Sequence, residues 1–215
     1  MLTFTLIFCY NISVKVGEKM KQNNLTKMLM DNNGILKTSD ALAAGITKDA
    51  LYRFIKDAAL EKIAHGIYAD PDELTDEMYL LQAQFPKAIF SHETALYLHD
   101  LSEREPVPLT VTVAANYNSA GLTKKGIKVY YTKKGWYDIG IVKMQSLGGH
   151  MIQVYDLERT ICDMVRRYED MDIAAFNYAA REYVRRKDKD YTKLSRYARE
   201  LHIEQKIRER MGVLF

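Results

Sequence analysis

The segment TSDALAAGITKDALYRFIKDAALEKIAHGIY, residues 38–68, decides how the first part of the chain is interpreted. It contains a short alanine-rich stretch, then Gly45, a second helical stretch that begins after Thr47, and two short strand-like stretches around a glycine. Glycine readily adopts the left-handed backbone conformation that ends a helix, and threonine is a favoured N-cap. An amphipathic helix in residues 22–34 precedes this segment. The order of helix, helix, glycine turn, helix and hairpin predicts a winged helix-turn-helix.

The helix that follows Thr47 is predicted to be amphipathic. At 100° per residue its apolar face comprises Ala50, Leu51, Phe54, Ile55 and Ala58. Tyr52, Arg53 and Lys56 fall on the opposite face, and Lys48 lies at its flank. In a helix-turn-helix the second helix enters the major groove and its N-terminal residues face the base edges. The same pattern is also typical of an ordinary solvated helix, so by itself it leaves both interpretations open.

Predicted DNA contacts come from the two helix N-termini, the polar face of the second helix and the hairpin. Free N–H groups at a helix N-terminus can bind phosphates, and basic side chains can reach phosphates or bases. The predicted contact residues are Thr38, Ser39, Thr47, Lys48, Tyr52, Arg53, Lys56, Lys62 and His65. Thr38 or Ser39 is expected to cap the first helix of the motif, and Lys62 and His65 to lie on the wing.

The composition indicates folded domains and only a mild bias towards anionic partners. The 215 residues are 47% hydrophobic and 27% charged, with a net charge of +3. Such a charge permits nucleic-acid contact without requiring it. Because this charge gives one copy only modest non-specific affinity, we expect two copies to bind operator DNA, on inverted repeats. In solution we expect a monomer.

The cysteines and the first residues exclude several classes of protein. Neither Cys9 nor Cys162 belongs to a spacing typical of zinc sites, and neither a metal nor another cofactor is expected. One possible pair is too few for a disulfide framework, which fits the cytoplasm. The apolar run at the start lacks a basic region before it and is too short to span a bilayer. An extra strand, a weak signal-like segment and an extension upstream of a start near Met20 remain open; the last is favoured, so residues 1–19 are predicted to be a peripheral extension. No membrane association is expected.

The remainder of the chain predicts a second, larger domain. Helical patterns occur near residues 75–85 and after Ser91, and β-rich stretches between 107 and 155 predict four or five strands. From residue 157 onward the pattern is helical. The predicted fold class is α+β. An N-terminal winged helix-turn-helix at 20–72 precedes a larger α/β domain at 73–215, with a mostly antiparallel or mixed sheet and C-terminal helices.

The stretch YDLERTICDM, residues 155–164, combines charged and apolar positions on one predicted helix. Asp156 can cap its N-terminus, and Arg159 can pair with Asp163 one turn later. Leu157, Ile161 and Met164 are predicted to face a core. A structural role for Asp156, Glu158 and Arg159 is favoured, and acid–base catalysis by this cluster is the alternative.

Residues 181–199 form the most basic stretch of the second domain, with eight basic and three acidic residues and interleaved tyrosines. Such a surface suits an acidic protein partner or a nucleic acid. The predicted interaction surface comprises Arg181, Arg185, Arg186, Lys189, Lys193, Arg196 and Arg199. The alternative is a pair of ordinary solvated helices whose tyrosines pack inward.

Three segments together resemble the AbiEi antitoxins of bacterial abortive-infection operons. They are GITKDALYRFIKDAALEKIAHGIY at 45–68, IFSHETALYLHDLSE at 89–103 and VYDLERTICDMVRR at 154–167. The resemblance follows the family's order over most of residues 25–215. It implies a winged helix that represses its own operon and a C-terminal domain that counters a cognate nucleotidyltransferase-like toxin, by direct contact or indirectly. It implies that residues 181–199 carry the antitoxin surface.

Enzymatic motifs are incomplete, and no enzymatic activity is expected. His92-Glu93 begins a zinc-protease pattern that needs histidine at 96, where Leu96 stands. The stretch GLTKKGIK at 121–128 lacks the lysine that follows the second glycine of a phosphate loop. Alternatives to an antitoxin are a stand-alone winged-helix regulator, a winged helix that binds protein, and a degenerate nucleotidyltransferase-like or kinase-like nucleotide-binding enzyme.

Overall fold

The computed structural model describes residues 23–72 and 76–212 of an α+β chain. Two compact units are distinguished. The first contains the described residues up to Gln84 together with Gln145–His150, and the second contains Phe85–Met144 and the described residues from Met151 onward. The predicted extension at residues 1–19 lies outside the described residues. The predicted boundary after residue 72 falls within the first unit, because the helix that ends at Gln84 packs against a strand of that unit.

The first unit combines helices with a small antiparallel sheet. Its elements are α1 (helical residues 23–31), β1 (Ile35–Lys37), α2 (Thr38–Ala43), α3 (Lys48–Asp57), β2 (Glu61–Ala64), β3 (Ile67–Ala69) and α4 (Glu77–Gln84). The strand order is β1-β3-β2, and both pairings with β3 are antiparallel. The two strand-like stretches predicted around a glycine are confirmed as β2 and β3, on either side of Gly66. β1 was not predicted, because its three residues form a strand only by pairing with β3.

The core of the first unit confirms the predicted apolar face of α3. Its buried members are Leu25, Leu36, Ala41, Ile46, Leu51, Phe54, Ile55, Leu60 and Tyr68. Gly45 lies between α2 and α3 with φ +77°, as the predicted left-handed turn requires. The side chain of Thr47 caps α3 by accepting a hydrogen bond from the Ala50 N–H at 3.4 Å.

The predicted N-cap of α2 is wrong. α2 begins at Thr38 itself and its N-cap position is Lys37, whose side chain makes no capping hydrogen bond. The N–H of Thr38 donates to the carbonyl of Gly66 at 2.8 Å. The chain therefore passes directly from β1 into α2 while it is still paired with the hairpin, which leaves no room for a separate capping residue.

From Phe85 onward the chain forms a mixed five-stranded sheet and most of the helices. The elements are β4 (Ile89–Phe90), α5 (His92–Leu98), β5 (Thr110–Ala114), α6 (Ala120–Lys124), β6 (Lys128–Thr132), α7 (Lys134–Tyr137), β7 (Ile141–Gln145), β8 (Met151–Tyr155), α8 (Leu157–Arg166), α9 (Ile173–Arg185), α10 (Tyr191–Glu200) and α11 (Glu204–Met211). The strand order is β6-β5-β4-β8-β7. β4 is antiparallel to β5 and parallel to β8, and β5 is parallel to β6. The predicted mixed sheet and C-terminal helices are confirmed.

Helix α8 lies at the centre of the second unit. Every residue from Leu157 to Val165 is buried, which confirms the predicted core positions. The polar residues Glu158, Arg159 and Asp163 are buried with them, so each requires partners inside the protein. None of the helices within residues 23–72 and 76–212 has the length and apolar character needed to span a bilayer.

Candidate nucleic-acid interface and the polar core of the second unit

The outer face of α3 is exposed over its whole length. Lys48, Arg53 and Lys56 are exposed, and Tyr52 is 50% exposed. Arg53 Nε donates to the Asp49 carbonyl at 3.4 Å, which holds the guanidinium along the helix. The ring of Tyr52 meets Tyr68 edge to face at 6.5 Å. The face therefore presents cations and an aromatic ring from a helix whose opposite side is anchored in the core.

The remaining predicted DNA contacts differ in their accessibility. Ser39, Thr47, Lys62 and His65 are exposed. The hydroxyl of Ser39 donates to the carboxylate of its neighbour Asp40 at 2.9 Å. Thr38 is different, because its Oγ1 is buried and makes no hydrogen bond with any described residue. The hydroxyl of Thr38 is thus hidden from solvent, which sets it apart from the other predicted DNA-contact residues.

Arg159 is the centre of the polar core of the second unit and is 0% exposed. Its Nη1 donates to the carbonyls of Trp136 and Ile139 at 2.6 and 2.8 Å. Its Nε donates to Asp163 Oδ2 at 3.0 Å, which confirms the predicted pair one turn apart. Asp156 Oδ1 accepts from the Arg159 N–H at 2.9 Å and so caps α8 as predicted.

The other carboxylate oxygens of this cluster connect α8 to α10 and to the residue before it. Asp156 Oδ2 accepts from the hydroxyl of Tyr197 at 2.9 Å and lies 3.0 Å from Lys193 Nζ. Glu158 Oε2 lies 3.3 Å from the same ammonium group, and Oε1 accepts from the Asp190 N–H at 2.9 Å. Burial lowers the pKa of Lys193, but its bonds to the two carboxylates outweigh this and raise the pKa above its usual value. These groups hold helices together, which supports the structural interpretation of the cluster.

The predicted basic surface at residues 181–199 is partly turned inward. Arg186 forms a two-pronged pair with Asp188 at 2.9 and 2.8 Å and donates to the carbonyl of His99 at 2.7 Å. Lys189 donates to the carbonyl of Arg186 at 2.6 Å. Together with Lys193, these residues are engaged in contacts within the protein.

The other four predicted residues of this surface lie on the outside, each beside a partner three to five residues away in sequence. Arg181 donates to a backbone carbonyl at 3.1 Å, and Arg185 pairs with Glu182 at 2.7 Å. Arg196 and Arg199 lie 4.0 and 3.6 Å from glutamates. Tyr183 and Tyr197 are buried, as the alternative interpretation predicted, whereas Tyr191 is 41% exposed.

A polar cleft in the second unit was not predicted. Two small adjoining clefts share His92, Tyr130 and Arg167 in their walls. The ring of His92 stacks on Tyr130 with centroids 3.6 Å apart, and its Nδ1 lies 3.0 Å from Ser91 Oγ. Burial lowers the pKa of His92 to about 4, so the ring is neutral at pH 7. The features of the sequence that could have indicated this cleft are His92, directly after Ser91, and the adjacent Arg166 and Arg167 at the end of α8.

The described residues, 23–72 and 76–212, contain no group of three or more His, Cys, Asp or Glu placed to hold a metal ion. Comparison with known proteins finds no matching protein-family model and no matching curated protein. Among solved structures, the chain is similar to the crystal structure of the RV2827C protein from Mycobacterium tuberculosis. The TM-score is 0.55 at 12% sequence identity, over 88% of this chain and 78% of that chain. At this identity the likeness shows a shared fold.

Proposed function

We propose that this protein is an antitoxin that represses its own operon through a winged helix-turn-helix in the first unit. The observation that carries the proposal is the outer face of α3. A left-handed glycine precedes this helix, Thr47 caps it, and Lys48, Tyr52 and Arg53 are exposed on it. The hairpin β2–β3 follows with Lys62 and His65 exposed. This arrangement supports the insertion of α3 into a major groove, with the hairpin beside the backbone.

The mild net charge of the chain favours binding to DNA as two copies. Phosphate contacts by lysine and arginine supply most of the affinity of a non-specific complex. The mild net charge of +3 gives one copy few such contacts. Two copies on inverted repeats would double the contacts and align the symmetry of the protein with that of the site.

Fluorescence anisotropy with a duplex from upstream of the protein's own gene tests the DNA-binding function. We expect Lys48→Ala/Arg53→Ala to weaken binding at least about tenfold and to reduce the slope of log affinity against log salt by about two per bound copy. The matched control is Lys206→Ala/Arg208→Ala, which removes the same charge from exposed positions of α11. Equal binding by the α3 double variant and wild type would show that α3 does not contact the DNA.

The second unit is proposed to counter a nucleotidyltransferase-like toxin in the cytoplasm. The resemblance to AbiEi antitoxins and the outward-facing arginines of α9 and α10 support this part of the proposal. Arg185, Arg196 and Arg199 have side chains that are 73%, 61% and 76% exposed. Because their ion pairs are solvent-exposed and weak, a partner can displace them at little cost.

Growth after co-expression with the cognate toxin tests this part. We expect wild type to restore growth and Arg185→Glu/Arg196→Glu/Arg199→Glu to restore it less, although its circular dichroism and operator binding stay unchanged. Lys206→Glu/Arg208→Glu, on α11, serves as the control for charge reversal. Full protection by the triple variant would exclude this surface. A protein that represses its operon but never protects would be a stand-alone regulator.

A further inference from the structure

The cleft beside His92 is built from four separate elements of the second unit. Strands β5 and β6 form one wall, and the beginning of α5 and the end of α8 form the rest. Its lining residues are His92, Thr112, Tyr130, Tyr131, Thr132, Arg159, Asp163, Arg166 and Arg167. Most of these side chains are polar, whereas ligand pockets of soluble proteins are predominantly apolar. The lining therefore indicates a small, strongly polar ligand.

The charges of this lining favour an anion. Three guanidinium groups face one carboxylate, Asp163, and His92 is neutral at pH 7, so the net charge is +2. Arg159 and Asp163 are paired with each other at 3.0 Å. Arg166 lies 3.3 Å from the other oxygen of Asp163, and Arg167 lies 3.1 Å from Asp170. A guanidinium has five N–H donors, so the ion pairs of Arg166 and Arg167 engage only part of their donor sets.

Aromatic rings hold both peripheral arginines in place. The guanidinium of Arg166 lies over the ring of Trp136 at 4.9 Å, and that of Arg167 lies over the ring of Tyr130 at 5.3 Å. A stacked guanidinium loses less conformational freedom when it binds an anion, so less of the binding energy is spent on ordering it.

Thr132 provides a second and independent observation. It is only 6% exposed, it lines the cleft, and its Oγ1 makes no hydrogen bond within the described part of the chain. The neighbouring Thr112, by contrast, donates to Ser91 Oγ at 2.8 Å. A buried hydroxyl without a partner costs stability, so such a group in a native protein calls for a ligand or a functional reason.

His92 has an unusual backbone for its position at the start of a helix. Its φ is +50°, in the left-handed region, where residues other than glycine are uncommon. Strained residues of this kind cluster at functional sites. The conformation sets the imidazole ring against Tyr130 at the cleft, where a neutral ring can donate or accept a hydrogen bond.

We propose that this cleft binds a phosphate group, with Arg166 and Arg167 as charged donors and Thr132 and His92 as neutral hydrogen-bond partners. Arginine matches the geometry of phosphate through two parallel N–H···O bonds. The cleft is much smaller than a pocket for a drug-sized ligand, which typically occupies roughly 300–1,000 Å³. It therefore takes a single phosphate group, either as the free anion or as the end of a monoester. This site is independent of operator binding.

Isothermal titration of the full-length protein with inorganic phosphate, and separately with glycerol 3-phosphate, tests the proposal. We expect saturable binding of at least one of the two and a rise in melting temperature, neither of which occurs with chloride at equal ionic strength. Tighter binding of the ester would identify a monoester as the ligand, and tighter binding of inorganic phosphate would identify the free anion. Absence of saturable binding by both would overturn the proposal.

Variants assign the binding to the cleft. Arg166→Gln/Arg167→Gln should weaken phosphate binding at least tenfold, whereas Arg185→Gln/Arg210→Gln, which removes two exposed ion pairs of the same unit, should not. Arg167→Gln alone, at a side chain that is 45% exposed, keeps the test valid if the double variant does not fold. Unchanged phosphate binding by Arg167→Gln and by the folded double variant would overturn the proposal.

Thr132→Val separates a ligand role from a structural one. Without phosphate, its melting temperature should equal or exceed that of wild type, because the variant removes an unpaired buried hydroxyl. With phosphate, its rise in melting temperature should be smaller than that of wild type. A lower melting temperature without phosphate, together with an unchanged rise, would overturn the role of Thr132.

Discussion

The ammonium group of Lys193 lies 3.0 Å from Asp156 Oδ2, so a lysine from the most basic stretch of the second unit is an internal ion-pair partner. Its side chain is 31% exposed, whereas those of Asp156 and Glu158 are 8% and 3% exposed. A buried carboxylate that loses its cation is left desolvated and uncompensated. The positive charge at position 193 is therefore needed inside the protein, and this sets it apart from the arginines around it.

Lys193→Met should destabilise the protein more than Arg185→Met. Methionine keeps the length of the aliphatic stem, so the change mainly removes charge. We expect a loss of about 1–3 kcal/mol in the free energy of unfolding for Lys193, reduced from the value for a fully buried pair because the lysine is partly exposed. For Arg185, in its exposed pair with Glu182, we expect less than about 1 kcal/mol. Urea unfolding of both variants checks the difference, and equal losses would contradict it.

Gly140→Ala should be more harmful than Gly126→Ala, although both glycines have a left-handed backbone. Their φ angles are +81° and +76°. A Cβ at Gly140 would lie 2.6 Å from the Cβ of Arg159, whereas at Gly126 it would meet nothing within 4 Å. Backbone strain costs each variant about 1–2 kcal/mol, and overpacking adds about 1–3 kcal/mol at Gly140. Thermal unfolding of the pair measures how tightly Arg159 is enclosed, and similar melting temperatures would show that it can move.

His92→Asn should flatten the pH dependence of stability between about pH 6.5 and 4. Burial lowers the pKa of His92 to about 4, the charges of Asp163 and Glu93 oppose this, and those of Arg167 and Arg166 add to it. In the unfolded chain the ring protonates near pH 6.5. The contribution of His92 to the free energy of unfolding is therefore fully present above pH 6.5, and up to about 3 kcal/mol of it is lost as the pH falls towards 4.

Asparagine is a suitable replacement for His92 because it tolerates a left-handed backbone and does not titrate. The difference between the urea-unfolding free energies of wild type and variant, measured at several pH values, isolates the contribution of the histidine from those of the carboxyl groups. A constant difference across this range would show that His92 is not buried in its neutral form.

Thr38→Val and Thr47→Val should have opposite effects on stability. The hydroxyl of Thr38 is buried and unpaired within the described residues, so its removal should leave the free energy of unfolding unchanged or raise it. The hydroxyl of Thr47 caps α3, and its loss should cost about 1 kcal/mol. Operator binding by Thr38→Val should remain close to wild type. Chemical denaturation and anisotropy check the pair, and a destabilised Thr38→Val would point to a hidden polar contact.

Local sequence patterns were enough to predict most of the helices, the caps of α3 and α8, and the fold class. The apolar positions of α3 and α8 recur at the helical period. In both helices the predicted apolar residues are part of a hydrophobic core or pack against it. Thr47, Asp156 and Gly45 act within a few residues of their own positions, so their roles as caps and turn follow from short-range chemistry. The paired Arg159 and Asp163 were predictable for the same reason, because one helical turn separates them.

Long-range pairing decided the features that these patterns did not predict. β1 and β4 are too short to show a period and exist because β3, β5 and β8 pair with them. The direction in which Lys193 turns depends on carboxylates of α8, which is distant in sequence. The cleft beside His92 likewise combines residues from four elements. A charged residue looks the same in sequence whether solvent or a buried partner neutralises it, and only the packing of distant elements distinguishes the two.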